Sequence, residues 1–348
     1  MTRILTVIGA RPQFIKAAPL SEALREAGLT EIIIHTGQHF DAAMSDIFFD
    51  ELDIPAPQHN LHINSLGHGA MTGRMLEAIE TVALAEQPDW MLVYGDTNST
   101  LAGALCAAKL SIPIAHVESG LRSYNRAMPE EINRVMADHL STLLLCPTSA
   151  AVTNLAKEGI THGVHLVGDV MYDATLSATR RARERSKILD MIGVAPKSYA
   201  VATIHRAENT DDLDRFRRII AFLEDKARDQ PLVMSVHPRT RNLMNREGIV
   251  PDGITTVDPL GYLDMCWLVT NCTEVFTDSG GLQKEAYFHK VPCTTLREET
   301  EWVETISAGW NRLWTAPPSI LPRSEITDYG TGEAAAQIAR LLAEHGRG

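Results

Sequence analysis

The chain has 348 residues, 45% hydrophobic and 22% charged, which is too long for one typical core and predicts two domains. Its net charge of −12 argues against nucleic acid or an anionic membrane surface, which need a basic face, and leaves room for an anionic small ligand where basic residues gather locally. No apolar run reaches the length of a membrane span, and the first residues enter a strand with no signal-peptide core. Five scattered cysteines (Cys106, Cys146, Cys266, Cys272, Cys293) lack paired spacing and read as reduced core residues, so the expected location is the cytoplasm.

Along the first half, short apolar runs alternate with helical patterns. "ILTVIG" predicts a strand, followed by "GARPQFIK", in which Arg11 and Lys16 flank a helix start within reach of an anion. Alone, that pair reads equally as two exposed cations. The helical stretch "KAAPLSEALREAG" closes at Gly28, and further strands follow in "EIIIHTG", "WMLVYGD", "IPIAHVES", "TLLLCPT" and "VHLVGD". Continuous apolar character marks strands buried on both faces of a parallel sheet.

Acidic residues recur where these strands end: Asp96 in "YGDTNST", Glu118 in "AHVESGLR", and Glu130 and Glu131 in "MPEEINR", with Arg122 and Arg134 beside them. A single acid there is often only a helix cap. Three carboxylate groups converging on one sheet edge favour acid–base chemistry, since clustered acids shift one another's proton affinity. His162 and His165 in "HGVH" have no carboxylate or cysteine partners and read as loop histidines, so no metal is expected.

The second half repeats the plan in "SYAVATIH", "PLVMSVHP", "GITTVDP", "EVFTDSG" and "VPCTTLRE". The alternation predicts two Rossmann-like, doubly wound α/β domains facing across a cleft: residues 1–168, then 169–328, with a last helix in 329–348 packing back on the first domain. Loops at the carboxyl ends of the strands should build the ligand crevice. "HRAEN" places His205, Arg206, Glu208 and Asn209 at one such end, and "VHPRTR" places His237, Arg239 and Arg241 at the next. A lone histidine is usually structural; two His–Arg groups on successive strands make an anion site. "DSGGLQKEA" adds a glycine turn at a helix start, Ser279, Gly280 and Gly281, suited to a diphosphate or sugar hydroxyl, and "REETEWVE" brings Glu298, Glu301 and Trp302 nearby. Phosphate-binding groups on one domain and paired acids on the other indicate a nucleotide-linked substrate. No phosphate-loop or dinucleotide fingerprint appears, which argues against ATP hydrolysis and hydride transfer.

Taken together, "GARPQFIK", "YGDTNSTLAGA", "HVESGLR", "PEEINR", "HRAEN", "HPRTR", "DSGGLQKEA" and "TEWVE" resemble the non-hydrolysing UDP-N-acetylglucosamine 2-epimerases over nearly the whole chain. The resemblance implies a GT-B-like fold, an isomerase without cofactor, a UDP-sugar substrate, a homodimer, and a place in surface polysaccharide synthesis such as O-antigen. It implies loss of the C2 proton and of UDP, a bound glycal, and re-addition with the opposite configuration. By motif, Asp96, Glu118 and Glu130 become the acid–base candidates, and His205 the acid or diphosphate partner. Arg11, Lys16, Ser279, Gly280, Gly281 and Glu285 match positions that hold UDP or the sugar; Arg122, Arg206, Glu208, Asn209, His237, Arg239 and Glu301 complete the expected ligand set. Glu285 repels phosphate and suits a hydroxyl.

Three positions depart from the commoner pattern: Gln13 stands for a glutamate, Trp302 for an arginine and Leu260 for a glutamine. With "HTGQHFDAAMSDIFF", these look closer to the branch acting on UDP-2,3-diacetamido-2,3-dideoxyglucuronic acid. A GT-B glycosyltransferase and a non-catalytic UDP-sugar sensor are rival readings disfavoured by the acids; a hydrolysing epimerase, which would release free N-acetylmannosamine and UDP, is a third.

Overall fold

The structure is a computed structural model that describes residues 2–38, 51, 54–317 and 321–345. The part of "HTGQHFDAAMSDIFF" from residue 39 on lies outside the described residues.

The chain divides into two compact units, Met1–Ala174 with Thr327–Gly348, and Thr175–Ile326. The first holds a seven-stranded sheet: β1 (Arg3–Ile8), β2 (Thr30–His35), β3 (His59–Asn60), β4 (Trp90–Tyr94), β5 (Ile114–Val117), β6 (Leu143–Cys146) and β7 (Val164–Leu166). Its order is β3-β2-β1-β4-β5-β6-β7, and every pairing is parallel. The second holds β8 (Ala200–Ile204), β9 (Leu232–Val236), β10 (Ile254–Val257), β11 (Val275–Thr277), β12 (Cys293–Thr295) and β13 (Asn311–Leu313), ordered β10-β9-β8-β11-β12-β13 and likewise parallel. Each is a Rossmann-like, doubly wound sheet.

The eleven strands expected from apolar runs all form. The two unexpected strands, β3 and β13, sit at sheet edges and read "HN" and "NRL", too short and polar to give a burial signal. Helices cover the sheets because their apolar faces have nowhere else to go. On the first sheet, Leu5, Val7, Ile34 and Val93 pack with Met71, Met75 and Ile79 of the helix His68–Glu86 and Ala104 of Asn98–Lys109. The second sheet carries a core on each face: Phe216, Ile219 and Leu223 pack with Ala202 and Met234, while Leu268, Leu282 and Ala286 pack with Val201 and Val275. Among the described residues no helix is long and apolar enough to cross a membrane.

The helix Ala334–His345 belongs to the first unit, against the helix Arg11–Glu26. Asp173, near the start of Val170–Arg185, accepts from the backbone N–H groups of Ala334 and Ala335 at 3.3 and 2.9 Å. It thus caps a helix remote in sequence. Burial, acting against those two hydrogen bonds, pushes its carboxyl up to about 6. A folded value above the ordinary one means folding favours the protonated form. The stability gained is present below the ordinary carboxylate range and is lost as pH rises through about 6. We predict that Asp173→Asn flattens the fall in urea-unfolding stability between about pH 4 and about pH 7, a difference on the order of 2–3 kcal/mol. An unchanged slope would contradict this linkage.

Candidate active site

In a doubly wound sheet the connections part in opposite directions between two central strands, leaving a crevice at their carboxyl ends. Here those strands are β1 and β4 in the first unit, and β8 and β11 in the second. Most expected site residues follow these four strands.

In the first unit, β1 leads into the turn of Gly9 and Ala10, and β4 into Gly95 and Asp96. Gln13 binds the two turns together. Its Oε1 accepts from the N–H groups of Gly9 (2.8 Å) and Ala10 (3.1 Å), while its Nε2 donates to the Tyr94 carbonyl at 2.8 Å. Nε2 also reaches the hydroxyls of Thr97 (3.0 Å) and Thr100 (3.1 Å). Above this staple Lys16 pairs with Glu118, and Arg134 pairs with Asp96. Glu118 has a left-handed φ of 68°, unusual for a non-glycine residue, which turns its side chain out of the strand direction. The Glu118 and Asp96 side chains keep 14% and 32% of their surface, so both carboxylates remain accessible beside a cation.

Glu130, in the first turn of the helix Pro129–Leu140, is exposed. Its neighbour Glu131 is buried, accepts from the N–H groups of Ser123 and Tyr124 at 2.9 Å each, and meets Nη1 of Arg134 at 3.2 Å. Glu131 therefore shapes the loop and steadies the arginine that holds Asp96. Arg11 is exposed at the start of its helix.

The second unit repeats the staple with a charge. Asp278, fully buried after β11, accepts from the N–H groups of His205 (3.0 Å) and Arg206 (3.0 Å) after β8, and from Asn209 Nδ2 at 3.0 Å. Burial pushes its carboxyl up, but His205 and these donors outweigh that and hold it below the usual carboxylate range. The same carboxylate lies 3.0 Å from Nδ1 of His205, whose side chain is 40% exposed. Fixing Nδ1 as the donor leaves Nε2 to face a ligand. The His237 ring lies beside it, tilted by 43° with ring centroids 5.8 Å apart.

Ser279 caps the helix Gly280–Phe288, accepting from the Leu282 N–H at 3.4 Å. Gly280 leaves room for the Glu301 carboxylate, which a Cβ there would push aside. Glu301 joins a chain of alternating charges: Arg297 Nη1 at 2.8 Å and Arg206 Nη2 at 3.9 Å, with Glu208 3.3 Å from Arg297. Burial raises the Glu301 carboxyl, and the two arginines outweigh it, holding it below the usual range. Trp302 donates from Nε1 to the Gly280 carbonyl at 2.8 Å, and the Lys284 ammonium sits 4.1 Å from its ring centroid. Glu285 accepts from the Tyr262 hydroxyl at 3.4 Å. Among the described residues no group of three or more His, Cys, Asp or Glu is arranged to hold a metal ion.

The model of the family described as UDP-N-acetylglucosamine 2-epimerase matches residues 22–343. The chain belongs to that family. It is 50% identical to a UDP-N-acetylglucosamine 2-epimerase homolog of Methanococcus maripaludis, over 98% of this chain and 99% of that one. It is 48% identical to a UDP-2,3-diacetamido-2,3-dideoxy-D-glucuronate 2-epimerase of Pseudomonas aeruginosa, again over 98% and 99%. The crystal structure of the Methanocaldococcus jannaschii UDP-GlcNAc 2-epimerase, in complex with UDP-GlcNAc and UDP, superposes with a TM-score of 0.86 at 39% identity, covering 99% of this chain and 100% of that one.

Two residues of the expected ligand set have their side chains engaged by protein partners. The Arg122 side chain is buried, its guanidinium paired with Glu158 (2.6 and 2.8 Å) and Asp138 (2.6 Å). Asn209 is buried too, donating to Asp278 and to the Leu296 carbonyl (3.0 Å) and accepting from Arg215 (2.7 Å). Arg239 lies on the surface, 2.6 Å from Asp211. Conversely, Asp278 and Gln13 were not expected as site residues. Asp278 follows β11 as Asp96 follows β4, and that parallel was the available signal.

Gln13 also explains its own departure from the family pattern. A carboxylate there would still accept from Gly9 and Ala10, but would set an oxygen against the Tyr94 carbonyl. We predict that Gln13→Glu lowers unfolding stability by about 1–3 kcal/mol at neutral pH. The loss should shrink in acid, where the new carboxyl regains a proton to donate; a variant as stable as the parent at neutral pH would contradict the staple.

Proposed function

We propose that this chain is a non-hydrolysing 2-epimerase of a UDP-N-acetylhexosamine sugar, acting by elimination of UDP and re-addition. The observation that carries the reading is the pair of accessible carboxylates, Asp96 and Glu118, each beside a cation at the carboxyl edge of the first sheet. In the forward half, a carboxylate takes the C2 proton as the C1–O bond breaks, its electrons leaving with UDP, to give a 1,2-unsaturated glycal. In the return half, UDP oxygen re-forms the bond at C1 and an acid delivers a proton to the opposite face of C2. Acid and base are both needed, so the chemistry asks for more than one carboxyl group. Glu130, exposed on the same edge, is the third candidate.

The second unit carries groups suited to bind a diphosphate: His205 and Arg206 follow β8, and the N-terminus of the helix Gly280–Phe288 adds its N–H groups. Asp278 holds His205 in the tautomer that presents Nε2. Glu285 takes a hydroxyl of the nucleotide.

For the sugar, UDP-2,3-diacetamido-2,3-dideoxyglucuronic acid is favoured over UDP-N-acetylglucosamine. The P. aeruginosa relative named for that substrate matches nearly end to end. Trp302 supports a ligand surface unlike the commoner one: its N–H is spent on the Gly280 carbonyl and its face on Lys284, so no cationic fork is offered there.

The test is incubation in D2O, without acceptor, of each nucleotide sugar in turn. The diacetamido nucleotide should gain deuterium at C2 and form its 2-epimer faster than UDP-N-acetylglucosamine does. Asp96→Asn and Glu118→Gln should each slow exchange by roughly 10²–10⁴-fold while UDP still binds. Absence of label in both sugars would overturn the reading, and faster labelling of UDP-N-acetylglucosamine would reverse the substrate assignment.

A further inference from the structure

Directly beneath the Asp96 turn lies a histidine that the reaction does not touch. His116, on β5, is fully buried. Its Nδ1 is 2.7 Å from Oδ1 of Asp138, and its Nε2 is 2.7 Å from the carbonyl oxygen of Gly95. A carbonyl can only accept, so Nε2 must donate to it. Asp138 also accepts: its other oxygen takes the Arg122 Nη1–H at 2.6 Å and the Gly120 N–H at 3.1 Å. A neutral imidazole has one N–H and cannot serve both partners.

We infer that His116 is a buried, doubly protonated imidazolium that positions the turn carrying Asp96, by donating to the Gly95 carbonyl while Asp138 neutralises its charge. This inference rests on the proposed reaction for its functional meaning, and on the hydrogen-bond geometry alone for the state of the ring.

The position of Gly95 makes the contact consequential. With a φ of +61° it bends the chain away from β4, and its N–H donates to the Val117 carbonyl at 2.9 Å. A Cβ on Gly95 would lie 3.4 Å from Oε2 of Glu118 and 3.7 Å from Nζ of Lys16. The peptide leading into Asp96 is therefore set against the Lys16–Glu118 pair, and its carbonyl is the handle by which His116 holds it.

Charges alternate outward from the ring. Asp138 comes from the helix Pro129–Leu140, Arg122 from the loop after β5, and Glu158 pairs with Arg122 through two hydrogen bonds and with His139 at 3.1 Å. Burial would raise the Asp138 carboxyl, but His116 and Arg122 outweigh it and hold it below the usual range. Independently of the ring, the Arg122 guanidinium and the Gly120 N–H on Oδ2 favour an ionised carboxylate, which cannot donate back. Cys146 on β6 neighbours the same carboxylate, and burial pushes its thiol up to about 11, keeping it neutral. An imidazolium between a carboxylate and a carbonyl completes this order; a neutral ring would either withdraw the donor from the Gly95 carbonyl or set a nitrogen lone pair against the Asp138 carboxylate.

The decisive measurement is nitrogen NMR of the intact protein labelled with ¹⁵N-histidine, at about pH 8, where free histidine is neutral. His116, identified by the signals missing from His116→Asn, should show both ring nitrogens protonated; one protonated nitrogen would overturn the inference. Two variants test the functional part, read by C2 deuterium exchange on whichever nucleotide sugar the parent turns over. His116→Asn keeps a donor near the Nδ1 position and loses the one for Gly95; His116→Gln places its donor near Nε2. Asparagine should lower kcat by roughly 10²-fold with little change in KM, the scale expected when a reacting group is displaced by about 1 Å. Glutamine should recover much of that loss. Equal kcat in the two variants would contradict a positioning role. If the parent exchanges neither sugar, the proposed reaction fails while the NMR result still decides the state of His116.

Discussion

Each sheet in this protein is split at its centre by the reversal of its connections, and a single buried side chain closes each split. Gln13 ties the turn after β1 to the end of β4. Asp278, after β11, ties itself to the backbone after β8. Without such a tie, two adjacent turns full of unpaired N–H and C=O groups would have to be satisfied by water or by ligand. With it, the crevice is preorganised and the flanking side chains have fixed starting points. The two solutions differ in charge for a physical reason. Gln13 must both accept from N–H groups and donate to a carbonyl, which an amide does and a carboxylate does not. Asp278 receives donors alone, and an anion gains most from three N–H groups and an imidazole.

The charges above these staples follow the same economy of pairing. Glu118 with Lys16, Asp96 with Arg134, and Glu301 with Arg297 each hold an ionised acid close to a cation. A partly buried carboxylate without such a partner would take up a proton and lose its use as a base. Trp302 and Lys284 show another way to keep a cation near the glycine turn, packed on an indole face instead of pointing at a ligand.

Much of this was legible in the sequence because a parallel sheet writes itself as apolar runs, and the residue after each run lies at the carboxyl edge. Asp96, Glu118, His205 and Ser279 all follow strands in that way. What the sequence could not separate was a residue that meets ligand from one that holds its neighbour. Arg122 and Asn209 occur in the same motifs as accessible groups, yet both are buried and committed to protein partners. The difference depends on Asp138, Glu158 and Asp278, which lie 16, 36 and 69 residues away in the chain. His116 was hidden by sitting inside an apolar strand. The edge strands β3 and β13 carry too few apolar residues to be seen at all.

The central claim is that the bond between C1 and the diphosphate oxygen breaks and re-forms in one catalytic cycle. It is tested most directly with the nucleotide sugar carrying ¹⁸O in that bridging position, followed by ³¹P NMR at equilibrium. Elimination and re-addition predict that label appears in non-bridging oxygens of the β-phosphate, as the freed phosphate rotates before returning. Epimerised product with all its label still in the bridge would contradict the account.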